Sequence, residues 1–228
     1  MFDPQKLLEQ FLGGKAADGD NKPGMSTDMI KGLAGGAAAG GLAAILLGGG
    51  GGKLVKTALR VGGTAALGGL AYKVWQDWQA GKGAGAPAHP VRDVTPEAEG
   101  TAFLPAPRAE RDRLSLAILS AMIAAAKADG HIDADEQKRI FGKLDEAGVD
   151  TEAKAFIVDE LRKPLDIDAV VKSATSPEMA VEIYAASVLA VDPDDPAEQA
   201  YLAMLAARLK LAPQLKVNIE TEARKAAA

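Results

Sequence analysis

The sequence predicts an all-α protein. From Arg108 onward, apolar residues recur three and four apart, and no two-residue alternation competes with them. Cap-and-proline pairs such as Ser176-Pro177 and Asp195-Pro196 punctuate that stretch as helix starts. Aromatics make up only 4% of the chain, so its core must come from Ala, Leu, Ile, Val and Met, which suits closely packed helices.

Residues 3–13 read as a short amphipathic helix. Asp3 caps it, Pro4 takes its first position and Gly13-Gly14 end it. Phe2, Leu7, Leu8, Phe11 and Leu12 form one apolar face, which docks on a bilayer surface or on the protein itself. Residues 14–27 read as a linker, and residues 1–31 carry too many acids for a secretory signal.

Gly32–Gly52 contains ten Gly, six Ala, four Leu, one Ile and no charge. As a helix it could span a hydrocarbon layer about 30 Å thick. Gly32, Gly36 and Gly40 stand four apart, a spacing at which membrane helices approach closely and self-associate. The competing reading is a Gly/Ala tether in water. A second uncharged stretch, Val61–Tyr72, is too short to cross, but Tyr72, Trp75 and Trp78 follow it as at a membrane interface. The expected architecture is one span followed by an interfacial helix; the alternative is a tight hairpin. Lys53, Lys56 and Arg60 flank the run on its C-terminal side and place the C-terminal half in the cytoplasm. Residues 81–107, rich in Pro and Gly, read as a linker without regular structure. The chain thus divides into 1–31, 32–80, 81–107 and 108–228.

Seven helices are expected in the last part, over 108–128, 134–147, 151–163, 167–174, 177–190, 196–210 and 213–226. Asp133, Asp166, Ser176 and Asp195 are caps, and Gly148 and Pro164 are stops. Charge divides unevenly: 11 Lys/Arg against 9 Asp/Glu up to Arg108, then 15 against 22. An acidic helical half disfavours nucleic acid and suits cations or basic partners. With no Cys, disulfides and thiolate metal sites are excluded.

Two segments resemble each other. Ala128-Asp129-Gly130-His131-Ile132-Asp133-Ala134-Asp135-Glu136 and Ala190-Val191-Asp192-Pro193-Asp194-Asp195-Pro196-Ala197-Glu198 each follow an Ala-rich helix, turn through acids and start a new helix. They read as a duplicated helix–acidic turn–helix unit. If the turns converge, Asp129, Asp133, Glu136, Asp192 and Glu198 are candidate ligands for a divalent cation, calcium or magnesium, since oxygen-only ligands favour hard ions. The rival reading is capping: Asp133 and Asp195 as caps, Glu136 and Glu198 completing capping boxes. The first turn is no EF-hand, with Ala134 at its sixth position and Ile140 at its twelfth. Gly48–Gly52 before Lys53 is no phosphate loop, because Leu47 and Leu54 stand where Gly and Ser/Thr are required. His89 and His131 read as solvated linker and turn residues. No nucleophile–base pair is visible, so no enzyme is expected.

The paired acidic turns resemble the signatures of the TerB-like (tellurite-resistance protein B) superfamily. Phe2-Asp3-Pro4-Gln5-Lys6-Leu7-Leu8, the glycine-rich run and the Pro linker make the layout similar to its YebE-like branch. That resemblance implies a seven-helix bundle, metal held by the acidic turns, and a bacterial inner-membrane protein. Together these readings predict a membrane-anchored acidic module that binds a divalent cation or a partner protein, in envelope or tellurite stress physiology. The alternatives are a soluble interaction domain on a Gly/Ala tether and a metal-dependent enzyme.

Overall fold

The structure, a computed structural model, describes residues 2–12, 64–81, 95–128, 138, 140, 142, 144, 149–191 and 195–227. The glycine-rich run lies outside these residues. Among the described residues there are nine helices and no strand: α1 (Pro4–Phe11), α2 (Thr64–Gln79), α3 (Thr95–Ala98), α4 (Arg108–Ala126), α5 (Thr151–Arg162), α6 (Ile167–Ser173), α7 (Pro177–Ala190), α8 (Pro196–Arg208) and α9 (Pro213–Ala227). Residues 138, 140, 142 and 144 are also helical, with Ile140 and Leu144 buried; the ends of the helix expected over 134–147 lie outside the described residues.

The helix starts follow local chemistry. Asp3, Asp150, Asp166, Ser176 and Asp195 each accept backbone N–H bonds from the first turn of α1, α5, α6, α7 and α8. Each thereby satisfies N–H groups that a helix start leaves unpaired.

The bundle is built around α7. Ten of its residues, from Ala180 to Ala190, are buried, and α2, α4, α8 and α9 all pack against it. A helix apolar on every side belongs in a core. Its closest neighbour is α4, so the two helices that lead into the acidic turns lie side by side.

Three expectations meet further detail. From Thr64 on, the stretch expected at a membrane interface packs against protein and is not a bare surface helix. Within α2, Leu67, Gly68, Gly69, Ala71 and Val74 are buried, and the helix packs on α7 and α9. Its glycines serve protein packing: a Cβ on Gly68 would sit 2.8 Å from the Phe103 carbonyl oxygen and 2.9 Å from Leu104. Tyr72 and Trp75 pack around the Phe103 ring, with centroids 5.8 and 6.4 Å away, and Trp78 leans on Trp75 at 5.1 Å. Aromatics after an apolar stretch mark a membrane interface only when no protein surface covers them.

Residues 95–107 are not featureless linker either. α3 is a single turn, Glu99 and Leu104 form an isolated bridge, and Ala98 and Phe103 are buried. Proline and glycine prevent long regular elements but not a packed turn. Finally, α8 stops at Arg208 rather than at residue 210. Lys210 takes a left-handed conformation (φ 57°), and the N–H groups of Lys210 and Leu211 bond to the carbonyls of Ala207 and Ala206. This is the Schellman arrangement, usually formed by glycine.

The amphipathic face of α1 docks on the protein itself. Leu7, Leu8, Phe11 and Leu12 are buried, and α1 lies along α4 and touches α2. Gln5 donates to Asp112 at 2.8 Å and accepts from Arg111 at 3.1 Å, while Phe2 stacks on Phe156 at 5.5 Å.

Candidate functional site

A groove of about 940 Å³ runs along α4. Its floor is a helical stripe of Arg113, Ala117, Ser120, Ala124 and Lys127, spaced four, three, four and three. That spacing makes it about 21 Å long at the rise of an α-helix. Ala169, Val170 and Ser173 of α6 form one wall, with Pro164 and Leu165 before them; Met179 of α7 closes it. Leu165 is 43% exposed, unusual for a large apolar side chain.

Several polar groups around this groove are committed to structure. The Lys127 ammonium donates to the Glu160 carbonyl at 2.9 Å and also to the Lys163 carbonyl, closing the C-terminal end of α5. Burial holds the Lys127 ammonium below its ordinary pKa, opposed by the charge of Glu160. Asp166 accepts from the Ala169 N–H at 3.0 Å, Ser176 accepts from the Met179 N–H at 3.1 Å, and Ser173 donates to the Val170 carbonyl at 2.6 Å. Between Arg113 and Lys127 the floor consists of the small side chains Ala117, Ser120 and Ala124.

Of the five candidate cation ligands, Asp129, Asp133, Glu136 and Asp192 lie outside the described residues. Glu198 stands in the first turn of α8, half-buried. Its own N–H bonds to the Asp195 carboxylate at 3.1 Å, as does that of Ala197 at 2.7 Å. In the second acidic turn, therefore, Asp195 acts as a helix cap. Among the described residues, no three or more His, Cys, Asp or Glu side chains gather into a metal-binding group. Nor is any helix among them long and apolar enough to cross a membrane.

Two polar atoms that the sequence did not single out stand out in the core: Glu182 Oε2 on α7 and Tyr201 Oη on α8. Both are buried without a hydrogen-bond partner among the described residues. Burial pushes the Glu182 carboxyl well above the usual carboxylate range, and it raises the Tyr201 hydroxyl too. A carboxyl in the middle of an apolar helix was a signal available in the sequence. Helical periodicity alone did not tell that all sides of α7 are covered.

A family described as a protein of unknown function, DUF533, matches residues 32–223. The chain belongs to that family. The match begins at Gly32, so it takes in the glycine-rich run as well as the helical body. DUF533 is related to the TerB-like proteins, which the acidic turns resemble. The chain is also 30% identical over 107 residues to a protein of Yersinia enterocolitica described as an uncharacterized protein in the ampR 5' region; the match covers 47% of this chain and 77% of that one. No solved structure matches the chain.

Proposed function

We propose that this protein is a helical docking module, tethered to a lipid bilayer by its glycine-rich run, that receives an apolar helix of a partner protein in the α4 groove. The tether reading rests on a run of 21 uncharged residues and on the resemblance to YebE-like inner-membrane proteins. The observation that carries its geometry is the seating of α1 and α2. One precedes the run, the other follows it, and both pack on the same body and on each other. A single crossing would put them on opposite faces of the membrane. On this reading α1 and α2 stay on one side of the bilayer, and Lys53, Lys56 and Arg60 favour the cytoplasmic side.

The groove supports a protein partner over a cation. The middle of its floor, Ala117, Ser120 and Ala124, carries small side chains at helical spacing, which let a second helix approach closely.

The chain has no Cys, so single cysteines can be placed at will. Lys6→Cys on α1 and Lys172→Cys on α6 replace exposed residues. In sealed membrane vesicles, a membrane-impermeant maleimide is expected to label both from the same side, and carbonate is expected to leave the protein with the membrane. Labelling from opposite sides overturns that one-sided placement, and release by carbonate overturns the tether. A photo-crosslinker at Ser120 in the groove is expected to give a discrete protein adduct that one at exposed Ala203 on α8 does not. Equal or absent adducts remove the docking role.

A further inference from the structure

We propose that Glu182 is a latch built into the fold: with its proton, it closes the bundle around α7; without it, the helices packed there open. Glu182 is the sixth residue of α7 and 1% exposed, on the helix against which α2, α4, α8 and α9 all pack. Its Oε2 has neither solvent nor a partner among the described residues. Stability does not explain such a residue. A neutral carboxyl in a core is tolerable, but its anion without a counter-charge is costly.

Among the described residues, the charged groups on the neighbouring helices do not supply that counter-charge. On α4 they are confined to its first six residues, Arg108 to Arg113. On α2, Lys73 bonds to Asp77 and to Glu222 of α9. On α8, Arg208 pairs with Asp168, and Glu198 stands in the first turn. On α9, Lys216 pairs with Glu220 and Lys225 with Glu222; Arg224 stands in its last turn. On α7 itself, Glu178 is in the first turn. The nearby core tyrosines do not help: Tyr184 donates to Glu220, and the Tyr201 hydroxyl lacks a partner among the described residues. Among the described residues, burial alone favours the protonated form of Glu182.

That proton sets the sign of the effect. The closed bundle binds a proton that the opened bundle releases, so closure is favoured at low pH. It weakens as pH rises from the ordinary carboxyl value near 4.5 towards the raised value of the closed state. Across that window, the opening constant changes up to about tenfold per pH unit.

The test is hydrogen exchange of the α7 amides in the full chain, read by mass spectrometry at several pH values and corrected for intrinsic exchange. In the native protein, the opening constant is expected to climb with pH by as much as about tenfold per unit. In Glu182→Gln and Glu182→Met it is expected to be flat. A flat native profile overturns the latch, and so does an unchanged slope in either variant. Failure of both variants to fold also overturns it, since a neutral residue of similar size should keep the bundle closed.

Discussion

Gly68 shows what one missing side chain decides. Its hydrogen lets the Phe103–Leu104 turn lie directly on α2, with the carbonyl of Phe103 2.8 Å from where a Cβ would stand. Backbone cannot swing aside as a side-chain tip can. Gly68→Ala is expected to lower stability by about 1–3 kcal/mol, despite the better helix propensity of Ala. Urea unfolding measures it, and a neutral or stabilising result would mean that the 101–104 turn does not seat there.

Elements are held together where polar groups meet across them. Tyr184 of α7 is fully buried, yet its hydroxyl reaches Glu220 of α9 at 2.7 Å. Lys216 reaches the same carboxylate oxygen at 2.7 Å. Burial raises the Glu220 pKa, but the bonds from Lys216 and Tyr184 outweigh it and leave the carboxyl below its ordinary value. That contribution is present above the ordinary carboxyl range and is lost as pH falls through the lowered value. Tyr184→Phe is expected to cost about 1–2 kcal/mol near neutral pH, and the gap to the native protein should narrow in acid, below the lowered Glu220 value. A gap independent of pH would remove Glu220 from the account. Helix starts were legible in advance because caps are local: Asp166, Ser176 and Asp195 accept the bonds that their positions predicted. The end of α8 was not legible, because a lysine carries the left-handed turn that glycine usually signals.

At the scale of the whole molecule, the chain closes on itself. Residues 2–12 are not an appendage, since Leu7, Leu8, Phe11 and Leu12 are each at most 2% exposed beside α4 and α2. Deleting residues 1–12 is expected to cost about 5 kcal/mol or more, from four lost apolar side chains discounted for burial in the unfolded chain. Native-like stability in that deletion, read by urea unfolding, would detach α1 from the body and, with it, the argument that α1 and α2 share one side of a bilayer. The groove is likewise a property of the whole. Its floor is a stripe on α4, but α6, the turn before it and the start of α7 make the walls. Nothing in the local pattern of any one segment announces it.

The sequence by itself determined the helical class, most helix starts and the acidic character of the second half. Each depends on neighbours a few residues apart, or on composition. Only the tertiary structure decided that α1, α2 and the Phe103 turn belong to the same packed body. It also showed that α7 is covered on every side, that Asp195 caps α8, and that Glu182 lies deep in the core. Burial is set by which surfaces meet, and surfaces distant in sequence meet only when the chain has folded.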